Sequence, residues 1–197
     1  TVPANTTKTL TIRLKVGSTA VGNHVFSISG MEANANISGL PVMGNQFFVE
    51  QSVTAGTLTV EKNGTLSNPT LGDTNVALTQ FELTAQSEDQ DLHSFTLKQD
   101  GTVDTDNLSN LTLWRGLTQV PATVSVDGRL VTFVLQSPYK LVDGSGTVFT
   151  VKGDVSSDAD TGDTVIMYAD RAADFNAVGR SYGFGTLATI TSFDAAG

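Results

Sequence analysis

The string Gly179-Arg-Ser181-Tyr-Gly183 has the G-x-S-x-G spacing of a nucleophile elbow. That chemistry needs a strand before the serine, a helix after it, and an acid and a histidine further along the chain. The two histidines, His24 and His93, both precede Ser181, and no helical pattern follows it. The string therefore reads as a linker turn. No catalytic residue is expected, and the chain is not read as an enzyme.

Metal chemistry has one candidate. Asp154, Asp158, Asp160 and Asp163 crowd a single loop, Asp154-Val-Ser-Ser-Asp-Ala-Asp-Thr-Gly-Asp163. Calcium takes six to eight oxygens, which closely spaced Asp residues and backbone carbonyls can supply. The other reading is a solvated turn whose Asp side chains bond their own backbone. Asp104, Asp106 and Asn107 form a second polar turn of the same kind, and His24 and His93 lack ligand company at metal spacing. No other cofactor is expected.

Surface chemistry has two candidates. If Leu111 and Leu113 face inward, Trp114 faces outward beside Arg115, where it could stack on a sugar or anchor an interface; a core position at a register slip is the alternative. Asn5, Asn36, Asn63, Asn107 and Asn110 each open an Asn-x-Ser/Thr sequon and are candidates for glycosylation.

The elements that must position these groups are strands. Leu10, Ile12, Leu14 and Val16 alternate with polar residues, as do Leu58 and Val60, Phe95 and Leu97, and Leu111 and Leu113. Such alternation marks a strand with one buried face. In Val76–Ala85 the apolar phase slips at Thr79-Gln80, which predicts a β-bulge. Asp127-Gly-Arg between two alternating runs predicts a hairpin. Strands at this spacing, with Gly, Asn, Asp and Pro between them, predict an all-β, Ig-like Greek-key β-sandwich.

Composition narrows the partners. Charged residues are 16% and hydrophobic residues 39% of the 197, a neutral polar surface around a real core. The net charge is −9 and no Lys/Arg cluster exists, which argues against nucleic acid. No basic amphipathic helix or long apolar run points to membrane insertion. The chain contains no cysteine, so disulfides and thiolate metal sites are excluded.

The chain also repeats itself at an offset of about 140 residues, a domain-sized period. Leu10–Val16 is echoed by Phe149–Val155, and Gly22-Asn-His by Gly162-Asp-Thr. Ala33-Asn-Ala-Asn36 with Gly39 recurs as Ala173-Asp-Phe-Asn176 with Gly179, and 47–51 is matched loosely by 187–191. Hence the expected organisation: residues 1–50 are the C-terminal half of a sandwich, 51–185 a whole one, and 186–197 the start of a further strand or a junction. That is the arithmetic of a window from a tandem array, or of a subunit borrowing half a domain.

Ser38-Gly-Leu-Pro-Val-Met-Gly44, Gly56–Val60, Asn75–Ala85, Ser109–Gly116 and Phe149–Val155 together resemble the tandem Ig-like repeats of prokaryotic cell-surface proteins. The resemblance spans nearly the whole chain and implies an extracellular structural role, in an S-layer-like lattice or a pilus-like appendage. It carries over no catalytic residue. The physical expectation beside it is assembly. In a half-sandwich Leu10, Ile12, Leu14, Phe26 and Ile28 would be left in water, and burying such side chains is worth roughly 1.5–3 kcal/mol each. A strand from another copy, with Leu187, Ile190 and Phe193 as the candidate segment, would complete it and build an open head-to-tail polymer. The competing arrangement packs residues 1–50 on the whole domain of the same chain, a self-contained two-domain spacer, and the alternative function is an adhesive or carbohydrate-binding surface module.

Overall fold

The structure is a computed structural model that describes residue 17, residues 20–49 and residues 54–195. The chain divides into two units, Thr1–Val53 and Thr54–Gly197.

In the second unit the period-two alternation becomes a β-sandwich. Its strands are β5 (Thr57–Lys62), β6 (Val76–Gln86), β7 (Gln90–Gln99), β8 (Leu108–Arg115), β9 (Thr118–Val120) and β10 (Ala122–Asp127). There follow β11 (Leu130–Leu141), β12 (Gly146–Val155), β13 (Met167–Tyr168), β14 (Phe175–Gly179), β15 (Gly185–Thr186) and β16 (Ala188–Ile190). One sheet runs β16-β5-β6-β12-β8-β9; the other runs β10-β11-β7-β14-β15, with β13 also paired to β7. Pro121 separates β9 from β10 where the chain changes sheets, a place for a residue that cannot donate to a ladder.

Local signals account for the antiparallel pairs. Asp127 pairs with Leu130 across Gly128-Arg129, and Gly128 alone has positive φ, +56°, the pattern of a II′ hairpin turn. The bulge in β6 lies one residue before the expected slip. Thr79 faces Val151 and Ala77 faces Lys152, so Leu78 is the extra residue, and Leu78 and Thr79 are both buried. That shift keeps Phe81, Leu83 and Ala85 on the core side.

Phe81 is the centre of the core. Its ring meets Phe95 at 5.3 Å, Phe149 at 5.9 Å, Phe175 at 6.3 Å and Phe193 at 5.1 Å, so it touches rings from both sheets and from the segment after β16. Aromatic pairs at this spacing add to what their buried area contributes.

One ladder is parallel. β16 runs alongside β5, with Ala188 beside Leu58 and Ile190 beside Val60. This corrects the expectation that 186–197 begins something new or serves a neighbour. Phe193 is buried and stacked on Phe81, Ala169 donates its N–H to the Phe193 carbonyl at 2.9 Å, and Ile190 packs on the same core. Of the three expected interface residues there, Leu187 alone stays in solvent. A strand already paired and buried in its own sandwich is not available as a donor.

The described residues of the first unit form a ribbon. β1 (Gly22–His24) pairs antiparallel with β4 (Phe47–Val49), and β2 (Ser27–Ile28) with β3 (Val42–Met43). Phe47 stacks between His24 and Phe26, at 5.7 Å from each ring. Neighbouring Phe48 pairs with Asn23 and points to the opposite face. Leu10, Ile12, Leu14 and Asn5 lie outside the described residues.

Candidate interaction surface

The expected chemical groups are dispersed. Ser181 sits exposed in the turn from β14 to β15, with a strand and not a helix after it, and its N–H donates to Glu88 at 2.7 Å. The acidic loop likewise resolves into local bonds. Asp154 accepts from the Asn75 N–H at 2.7 Å and from Asn110 Nδ2 at 2.6 Å. Asp163 accepts from Thr102 Oγ1 at 2.8 Å and from the Asp160 N–H at 3.1 Å, and the Asp158 N–H turns onto Ser156 Oγ at 3.0 Å. Among the described residues no three His, Cys, Asp or Glu gather as a metal site. The calcium candidate at Asp154, Asp158, Asp160 and Asp163 is therefore corrected: Asp154 and Asp163 are acceptors within the loops, and Asp158 and Asp160 donate their N–H groups in local turns. Melting temperature is expected to be the same in millimolar calcium and in chelator; a rise of several degrees with calcium would contradict this.

These bonds set an acid limit. The Asn110 amide, and then the Asn75 N–H, hold the Asp154 carboxyl below its ordinary 3.8. The Thr70 hydroxyl and N–H do the same for Asp73, and the Lys140 ammonium, 2.7 Å away, leads the same effect on Asp89. A carboxyl with a lowered folded value contributes stability that is present above the unfolded value and is lost as pH falls through the lowered one. The melting temperature should thus drop below about pH 4. Asp154→Asn should melt lower than the parent at pH 7, and the gap should narrow as pH falls below the ordinary 3.8. A gap that stays constant with pH would refute the assignment.

Two of the sequons are structurally engaged. Asn63 Nδ2 donates to Glu82 at 3.0 Å and Asn110 Nδ2 to Asp154, while Asn36 is exposed and Asn107 closes a short 3₁₀ turn. Trp114 lies on the outer face of its sheet, opposite Thr150, while Leu113 is buried. One face of its ring is covered by the Lys152 ammonium at 4.4 Å, and Nε1 donates to Thr112.

Two features had no sequence signal. A groove of about 340 Å³ opens in the second unit among Leu66, Leu78, Met167, Phe193, Gln80 and Ser192. Two of its polar side chains bond within the fold, Gln80 donating to Thr150 and Ser192 accepting from the Lys62 N–H. The other is Glu88, a buried carboxylate in the β6–β7 corner that accepts from the Gly56 and Ser181 N–H groups. Read in sequence, Ser87-Glu-Asp89 is only a polar turn; its burial depends on two loops far away in the chain.

The ribbon carries the largest mismatch between side chains and surroundings. Positions 140 apart can be compared directly. Gly22 and Gly162 share positive φ, +92° and +97°, a conformation that suits glycine. β2 occupies the place of β13, and β4 that of β16, give or take one residue. In the second unit those strands pair with β7 and β5; in the ribbon β2 pairs with β3 and β4 with β1. The burial follows. Ala177 and Ala188 are 1% and 4% exposed, while Ile37 and Phe48, at the same places, are 41% and 64% exposed. No family model, curated protein or solved structure matches this chain. The internal comparison is thus the most informative one. It marks the ribbon, with Ile28 and Ile37, as a surface where apolar side chains are more exposed than their counterparts Tyr168 and Ala177. No helix among the described residues is long and apolar enough to cross a membrane.

Proposed function

We propose that the chain is a non-catalytic structural segment of an extracellular filament or surface layer, built of β-sandwiches that complete one another through strand pairing. The observation that carries this reading is the ribbon: β2 and β4 stand near the places of β13 and β16, and Ile37 is exposed where its counterpart Ala177 is buried. Burial of such residues is worth roughly 1.5–3 kcal/mol each, so a surface of this kind favours association. Immunogold labelling with antibodies raised against the folded chain is the test. Regular, periodic label on filaments or a surface lattice is expected, and label confined to the cell interior or scattered without period would overturn the reading.

The second reading, a carbohydrate-binding module, rests on outward-facing Trp114. It is the weaker one, because Lys152 already covers a face of the ring. Glycan binding that is lost in Trp114→Ala would favour it.

A further inference from the structure

We infer that the free edge of β10 is a two-fold docking edge for a second copy of this chain, the two β10 strands pairing antiparallel about Val124. The inference rests on the sheet edge alone and does not depend on the ribbon or on the structural role proposed above.

The phase of β10 decides which of its main-chain groups are free. Asp127 and Leu130 flank a two-residue turn, so they form a hydrogen-bonded pair, and such pairs alternate along an antiparallel ladder. The Gln136 N–H donates to the Pro121 carbonyl at 3.0 Å, which gives the same phase at the other end. Thr123, Ser125 and Asp127 therefore bond toward β11. Ala122, Val124 and Val126 turn their N–H and C=O groups away from it, and no described strand pairs with that side. The other edges of the two sheets are short: β9 and β16 have three residues each and β15 has two. β10 has six, and its register with β11 is unbroken. From 122 to 126 it holds neither charge nor proline. It thus lacks the bulge, charge or proline that keeps natural edges from pairing.

What fits this edge is the edge itself. With Val124 opposite Val124 of the second copy, Ala122 faces Val126 of the second copy on each side of the axis. This is the one register that pairs all three free residues of both strands, and each pair exchanges two N–H···O bonds. On the core side the facing side chains are all apolar: Ala122 and Val124 already pack on the core, and Val126 is 47% exposed. On the outer face exposed Thr123 meets exposed Ser125 of the second copy, hydroxyl to hydroxyl. Asp127 falls opposite Pro121 of the second copy, so no two carboxylates are opposed and the net charge of −9 on each copy stays off the seam. The contact is self-complementary and isologous.

Sedimentation equilibrium of the full chain tests this. At about 0.15 M salt, where distant charges are screened, the parent should move from 20.7 kDa toward twice that mass as concentration rises. A parent that stays monomeric into the millimolar range would overturn the inference. Thr123→Lys with Ser125→Lys opposes two ammonium groups at both Thr–Ser pairs and should raise the dissociation constant about tenfold or more. Thr123→Lys with Ser125→Glu opposes ammonium to carboxylate at the same pairs and should bring the constant back to within about threefold of the parent's. Equal association in all three would put the contact on another surface, and no recovery in the second variant would reject the register; either result overturns the inference. Both positions are exposed, so each variant should melt within about 2 °C of the parent. Amide exchange read by NMR needs no substitution. The Ala122, Val124 and Val126 N–H groups should exchange several-fold more slowly at high concentration than at low, and unchanged exchange at all three would overturn the inference as well.

Discussion

Phe81→Ala is expected to lower the stability of the second unit by about 3–5 kcal/mol, the largest effect of any single truncation in this chain. Phe81 is fully buried, and its ring touches Phe95, Phe149, Phe175 and Phe193. Those four come from β7, β12, β14 and the turn after β16, so the void would open between the sheets where no single strand can relax into it. Urea denaturation followed by fluorescence of Trp114 reads the change directly, and Leu58→Ala provides a scale for an ordinary core truncation. A loss below 1 kcal/mol for Phe81→Ala would mean that the core is organised around some other residue.

The second large effect belongs to Glu88. Its carboxylate is buried and accepts from the Gly56 N–H at 3.0 Å and the Ser181 N–H at 2.7 Å, tying the start of β5 and the β14–β15 turn to the β6–β7 corner. Hydrogen bonds to a charged group are worth about 1.5–3 kcal/mol each, and water can reach the exposed Ser181 turn once the carboxylate is gone. Glu88→Ala should therefore cost about 2–4 kcal/mol. Gly179 gives the diagnostic. A Cβ there would collide with the Glu88 carboxylate, so Gly179→Ala should destabilise by about 1–3 kcal/mol alone. In the Glu88→Ala background the same change should cost little, because the group it would strike is absent. A double-mutant cycle measures that coupling. Simple additivity of the two changes would contradict the geometry.

What was legible in the sequence was local. Alternation at Leu58/Val60 and Leu111/Leu113 identifies strands and their buried faces, because side chains of a strand must alternate sides. Asp127-Gly-Arg identifies a turn, since Gly is the residue that takes the required backbone angle without strain. The slip near Thr79 announced a bulge to within one residue, and the alternation placed Trp114 on the outer face as one of the two readings held. What stayed hidden was non-local. The parallel pairing of β16 with β5 joins residues about 130 positions apart, and nothing in Ala188–Ile190 itself names its partner. The Asp loop shows the same limit from the other side. Spacing suggested a metal, but the donors that occupy Asp154 and Asp163 come from Asn75, Asn110 and Thr102, in other loops. The repeat was visible in the residues, whereas its meaning needed burial, because only burial shows that Phe48 and Ala188 hold one position in two different surroundings.

The parallel ladder between β5 and β16 also decides how the second unit answers to tension. These strands are its first and its last, lying side by side and pointing the same way. When the chain is pulled from its two ends, force enters at the leading end of one and leaves at the trailing end of the other. The two are dragged along each other lengthwise, and the load falls on all their cross-links together instead of opening them in succession like a zip. The join that closes the fold is also its mechanical clasp.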